Sequence, residues 1–229
     1  MRLALLVCLA GCADSGRPLP EPQDFGPHGE LSLDYDGAEP SDLAGPRPPD
    51  FAGVDLAGAD LATPGCGLGQ IKINEVQTAG GSSASDEFVE LYNPCGNPVS
   101  LAGASLKYRS ATGITDNAMA DLTGTVAANG FYLLASSSYA GAAAPDQPKG
   151  WKSLSGIAAT GGGIGLEDGA GNRIDSVGWG SANNTFVEKS AAAAPAAGHS
   201  IGRKPDGNDS NDNSADFQEF TTPTPRAAN

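Results

Sequence analysis

The sequence predicts an all-β head, a sandwich or barrel, preceded by a disordered N-terminal segment. Three observations carry this reading. From Cys66 onward, short β-prone runs alternate with turns rich in glycine. Charged residues are sparse at 17%, while Gly and Pro number 32 and 17, the mixture that many short strands joined by turns require. Before Cys66 the texture differs: residues 13–65 hold eleven acidic side chains against Arg17 and Arg47, with no sustained apolar period. Low hydrophobicity with net negative charge predicts disorder.

The elements follow in chain order. "MRLALLVCLAGC" has one Arg, a short apolar run, and Ala10-Gly11 before Cys12. It resembles a bacterial lipoprotein signal, with Leu9–Cys12 as the lipobox. The resemblance implies removal of residues 1–11 and acylation of Cys12, so the expected membrane contact is a lipid anchor at Cys12. More than one acyl chain gives stable anchoring. Ala13, rather than Asp, follows Cys12; by the same analogy this favours the outer membrane. Residues 12–65 then form a lipidated, acidic linker rich in Pro, Gly and Ala. The unit "DLAG" recurs in degenerate form at 42, 50, 55 and 60, but too few adjacent copies exist to bury a solenoid core. As a flexible coil the linker spans roughly 40 Å root-mean-square.

The head is expected over residues 66–229. "QIKINEV" alternates Ile71 and Ile73 with polar neighbours, and "EFVELYN" is strongly β-prone. "SLAGASLKY" places Leu101 and Leu106 near Tyr108. "TVAANGFYLLAS" predicts a hairpin turning at Asn129-Gly130. "GGIGLEDGAGNRIDSVGW" predicts another, with "DGAGN" between Leu166 and Ile174. "GHSIGRK" and "DFQEFTTPTP" complete the set, and "SAAAAPAAGHS" reads as a loop because Pro195 and Gly198 interrupt it. A chain of this length buries about 70% of its unfolded surface in one core.

Taken in order, "IKINEV", "DEFVELYNPCGNPVSLAGASL", "NGFYLLAS", "GIGLEDGAGNRIDSVGWG", "GHSIGRKPDGNDSNDNSADF" and "TPTPRAAN" resemble the lamin tail domain family. The resemblance covers nearly all of residues 70–229 and implies an immunoglobulin-like β-sandwich. One departure is Ala104, where the family often has an aromatic residue.

Asp86, Glu87 and Glu90, with Glu75 upstream, raise the question of an acid/base pair. Strand alternation puts Phe88, Glu90 and Tyr92 on one face, and Glu87, Val89 and Leu91 on the other. Glu87 and Glu90 therefore cannot act together. The resemblance implies that these glutamates are part of a structural signature, and the expected roles are at a sheet edge and in bonding turns. No catalytic residue is assigned: "GxSxG" is absent, and the Gly-rich runs precede no helix that would bind phosphate. No metal site or cofactor is assigned either. His28 and His199 are isolated. Asp206, Asp209, Asp212 and Asp216, with Asn208 and Asn211, offer oxygen ligands that calcium favours, but they lack the EF-hand pattern and read as turn residues. Trp151, Trp179, Tyr132 and Tyr139 read as packing rather than a sugar platform.

After export and acylation of Cys12, Cys66 and Cys95 remain to pair in an oxidising compartment. If "QIKINEV" and "EFVELYN" are antiparallel neighbours, both cysteines lie at one end of the sandwich. A net charge of −14 argues against a nucleic-acid partner. The expected function is non-enzymatic: a lipid-anchored envelope protein that binds an envelope or extracellular protein or glycan. A structural envelope component, a nucleic-acid module and an accessory to a secreted hydrolase are the alternatives.

Overall fold

Alternating apolar side chains on short strands produce two sheets that face each other. The structure, a computed structural model, describes residues 66–229; the expected signal, Cys12 and the linker to residue 65 lie outside the described residues. The strands are β1 (Lys72–Gln77), β2 (Phe88–Tyr92), β3 (Val99–Ser100), β4 (Ser105–Ser110), β5 (Asn117–Asp121), β6 (Thr125–Val126), β7 (Phe131–Ala135), β8 (Gly161–Glu167), β9 (Arg173–Gly180), β10 (Ser200–Arg203) and β11 (Phe217–Phe220). One helical turn, α1 (Asn213–Asp216), precedes β11. The first sheet has the order β11-β10-β1-β2-β7 and the second β5-β4-β8-β9; β3 and β6 form a separate ribbon. All of these strand pairs are antiparallel.

Ile73, Val76, Val89, Leu91, Leu134 and Ile201 from the first sheet meet Leu106, Ile164, Leu166, Val177 and Trp179 from the second in one buried cluster. Each fully buried aliphatic side chain contributes about 1.5–3 kcal/mol. Ala104 is also buried here, where the family resemblance led one to look for an aromatic ring. The predicted faces of β2 hold: Val89 and Leu91 join this core, while Phe88 joins Leu133, Ala135 and Tyr139 in a second cluster.

The hairpin predicted around "DGAGN" is the β8–β9 pair. Asp168 closes its turn by accepting hydrogen bonds from the Ala170 and Asn172 N–H groups at 2.9 and 2.8 Å. The hairpin predicted at Asn129-Gly130 is corrected. A turn is present, with the Gly130 N–H donating to the Ala127 carbonyl, but β6 pairs with β3 and β7 pairs with β2. The chain uses this turn to pass between sheets. The glycines of "GGGIGLEDG" also do more than turn. Gly163 and Gly165 lie within β8, where a Cβ would come 2.8 and 2.4 Å from the Phe186 side chain, so their bareness lets that ring lie flat on the sheet.

Open sheet edges invite aggregation, and one segment covers two of them. At β7, the Asp146 and Gly150 N–H groups donate to the Leu133 and Ala135 carbonyls at 2.9 and 2.8 Å. At β5, the Lys152 and Ser153 N–H groups donate to the Met119 and Ala118 carbonyls at 2.8 and 3.1 Å. Residues 146–153 thus lace the two sheets along one flank. On the opposite flank, Asn213 accepts from the Gly178 N–H at 2.9 Å and donates to the Ser176 carbonyl at 3.1 Å, covering β9.

β1 and β2 are antiparallel neighbours, with Lys72 opposite Tyr92. That brings the residues before β1 and after β2 together, and Cys66 and Cys95 form a disulfide with a Cα–Cα separation of 5.6 Å. The bridge closes a loop with a sequence separation of 29, for which chain-entropy arguments give about 3–4 kcal/mol of stabilisation. Replacing both cysteines with serine is expected to lower the unfolding free energy by about that amount. Urea titration of parent and double variant under non-oxidising conditions for the variant, and without reductant for the parent, checks it.

Candidate functional site

The outer face of the first sheet carries the carboxylates that the sequence brought into question. β1 has a register irregularity between Ile73 and Glu75. Past it, Glu75 stands opposite Glu90 across the strand pair, while Val76 still packs into the core. Both glutamates are 0% exposed. The expectation of a sheet-edge role is therefore corrected: β1 and β2 are interior strands, and the C-terminal residues lie over their outer face.

That C-terminal segment supplies the missing donors. Glu75 accepts the Thr224 N–H at 2.9 Å and the Ser200 hydroxyl at 2.5 Å. Glu90 accepts the Arg226 N–H, and the Asn74 amide at 3.4 Å. The Arg226 guanidinium reaches Asp146 at 2.7 Å. Asn229 donates to the Asp206 carboxylate and the Arg203 carbonyl at 3.2 and 3.0 Å. Gly202 of β10 leaves room for this, since a Cβ there would lie 2.6 Å from the Asn229 amide nitrogen. Burial, with Glu75 and Asp206 as neighbouring charges, pushes Glu90 up to about 8. Burial likewise raises Glu75. Glu87 belongs elsewhere: it accepts from the Trp151 indole at 2.7 Å and the Ile157 N–H at 2.8 Å, and burial raises it too. The turn-bonding role expected for these glutamates is what the geometry displays.

Beside the carboxylate pair lies a groove of about 640 Å³. Gln77, Asp86, Phe88 and Tyr139 line it, and Pro223 and Pro225 of the C-terminal segment form one wall.

Between the sheets, on the β9–β10 flank, is an acidic cluster. Carboxylate oxygens of Asp175, Glu188 and Asp209 lie within 4.8 Å of one another, the only such triad among the described residues. Cations of the chain already serve it. Arg203, fully buried, donates to Asp175 at 2.9 Å and lies 4.0 Å from Glu188. Lys72 pairs with Asp209 at 2.5 Å. Burial pushes Asp175 up to about 7 against the pull of Arg203 and Lys72. In the Asp/Asn-rich run, Asp216 accepts the Ser210 N–H at 2.8 Å, the Ser210 hydroxyl at 2.7 Å and the Asn208 amide at 3.0 Å. The Asp216 oxygens are engaged by the run's own Asn208 and Ser210 and by Arg203. His199 pairs with Glu219 at 2.8 Å on the surface.

The aromatic side chains pack. Trp179 is 0% exposed and donates to the Ala158 carbonyl at 2.9 Å. Tyr132 donates to the Thr123 carbonyl at 2.7 Å. Tyr139 is buried with no partner for its hydroxyl among the described residues.

Against this fold, comparison with known families is decisive. A model of the Lamin Tail Domain matches residues 67–181. The chain belongs to the lamin tail domain family. The immunoglobulin-like sandwich implied by the sequence resemblance is the one the two sheets form. The matched span contains Glu75, Glu87 and Glu90 and stops before β10, β11 and the C-terminal segment, so the strap over this lamin tail domain lies beyond it. No curated protein matches the chain. The Glu75–Glu90 pairing is the feature that sequence reasoning missed. Strict alternation from Ile71 and Ile73 sends Glu75 inward, and only the irregularity in β1 turns it outward.

Two expectations follow. A carboxyl whose pKa is raised on folding binds its proton more tightly in the folded state. Stability is then full below the unfolded value of 4.5 and declines as pH rises to about 8 for Glu90. Each pH unit in that window costs up to about 1.4 kcal/mol, or about 2–4 °C of Tm per kcal/mol in a domain of this size. Glu90→Gln should flatten the decline, which scanning calorimetry from pH 5 to pH 8 reads directly.

Arg203→Met should destabilise the head by about 3–5 kcal/mol, because it strands buried carboxylates. Adding calcium should leave the Tm of the parent unchanged. Denaturant titrations of the variant, and melts of the parent with and without calcium, measure both.

Proposed function

We propose that this chain is a lipid-anchored cell-envelope protein whose lamin tail domain serves as a non-enzymatic binding or adhesion module. The observation that carries the anchoring is the "LAGC" run at Leu9–Cys12, followed by a long acidic, Pro-rich stretch. Acyl chains on Cys12 would hold the chain in the membrane, and the stretch to residue 65 would space the head from the surface. The residue after Cys12 supports an outer-membrane destination. The partner is an envelope or extracellular protein or glycan. Nucleic acid fits poorly with sixteen acidic against ten basic side chains over residues 66–229.

The non-enzymatic reading rests on the carboxylates. Glu75, Glu87 and Glu90 are each engaged by two or more donors of the chain. The C-terminal backbone also occupies the space in front of Glu75 and Glu90. An acid/base pair needs both carboxyls open to a substrate.

Cys12→Ala decides the anchor. The parent should partition with membranes and the variant should appear in the soluble fraction on cell fractionation and immunoblotting. Retention of the variant in the membrane fraction sinks this reading.

A further inference from the structure

We infer that the groove beside the C-terminal segment binds a primary ammonium group carried on an aliphatic chain, as a lysine side chain or a short free diamine presents it. This rests on the reading of the head as a binding module and names the chemistry of what it takes.

The groove's walls suit an unbranched aliphatic chain. Phe88, Tyr139, Pro223, Pro225 and Ala142 give it apolar surface, and glycine backbones at 80, 81, 141 and 198 keep it open. No lining residue is basic, and Asp86 is the acidic one. Asp86 accepts the Ala140 N–H through Oδ1 at 3.1 Å. Its Oδ2 accepts from no described side chain or backbone group and lies against Gly80, where a Cβ would come within 2.4 Å of it. Gln77 donates one amide N–H to the Asp86 carbonyl at 2.8 Å, which fixes the side chain beside Asp86.

Tyr139 gives the groove an aromatic side chain. It is 5% exposed, lines the groove, and its hydroxyl has no hydrogen-bond partner among the described residues. The hydroxyl lies in the space that a side chain on Gly141 would fill. Burial, and after it the neighbouring carboxyl groups of Asp86, Glu75 and Glu90, raise its pKa. Lys149 and Arg226 are the nearby cations, and both are committed. Lys149 donates to the Tyr139 carbonyl and Arg226 pairs with Asp146. An apolar slot with the Asp86 carboxylate in its wall, aromatic rings beside it and no basic lining residue selects a cationic donor over an anion or a neutral hydroxyl.

Isothermal titration of the full chain at pH 7 tests this with four probes: cadaverine, Nα-acetyl-lysine methylamide, pentanol and pentanoate. Both ammonium compounds should bind, and pentanol and pentanoate should not. Tighter binding of the acetyl-lysine amide points to a peptide side chain, and tighter binding of cadaverine to a free diamine. Asp86→Asn keeps the Oδ1 acceptor and should weaken ammonium binding about tenfold, the worth of one charge-assisted contact. Gly81→Leu should abolish it. A Cβ on Gly81 meets only the Gly198 backbone at 3.9 Å, so this variant folds and fills the groove. Circular dichroism melts matching the parent verify that. Equal binding of pentanol, no binding of either amine, or unchanged affinity in Asp86→Asn overturns the inference. Should Gly81→Leu retain an envelope protein or glycan as well as the parent does, the binding-module reading stands while this one falls.

Discussion

A guanidinium with no exposed surface sits between the two sheets, and each of its nitrogens reaches a different part of the chain. Arg203 Nε donates to the Ile73 carbonyl of β1 at 2.9 Å, Nη2 to Asp175 of β9 at 2.9 Å, and Nη1 to the Asn208 carbonyl at 2.6 Å. Asp216 of α1 and Asp209 add to Nη1 at 3.3 and 3.4 Å, and Phe217 of β11 lies 4.6 Å beneath. Burying a charge is costly unless it is paired and hydrogen-bonded, and here the planar fork meets that demand in a way a lysine could not. The Asp/Asn-rich loop, the helical turn and the last strand all take their positions from this group. The acidic cluster around it exists to hold Arg203.

The last eight residues complete the other side of the first sheet. Two fully buried glutamates require donors, and the backbone at Thr224 and Arg226 provides them. The two ends of the head are thereby made interdependent. β1 and β2 cannot keep their outward carboxylates buried without the C-terminal segment. That segment in turn is held by those carboxylates, by Asp146 and Asp206, and by the carbonyls of Asn74, Ala144 and Arg203. The groove exists only because the segment is in place, since Pro223 and Pro225 form one of its walls.

What the sequence revealed and what it hid divide along physical lines. β1, β2, β4 and β8–β9 were legible because their apolar residues alternate, and "DGAGN" because its Asp and Gly have defined turn chemistry. β5, "NAMAD", was not, because its residues are poor strand formers and it is held by pairing to β4. Asn129-Gly130 announced a turn correctly, but whether a turn joins paired strands depends on tertiary partners. The disulfide followed from the adjacency of β1 and β2. The carboxylate pair did not, since it depends on an irregularity in β1 and on a tail more than a hundred residues away. The groove is assembled from five separate stretches of chain and has no local signature at all.

The Cys66–Cys95 bridge stands where the chain enters the folded head. Any tension arriving along the preceding residues reaches Cys66 first. Without the bridge, that pull would act on the first residues of β1 and could strip it, hydrogen bond by hydrogen bond, from β2 and β10. With it, the load passes through a covalent bond to the C-terminal end of β2, beside the start of β1. Antiparallel β1 and β2 are then held at the same end, and the two move as one piece. β2 is itself clamped between β1 and β7, so force is shared across the centre of the sheet instead of being concentrated at a fraying end. The head is therefore braced against a pull on the chain that precedes Cys66.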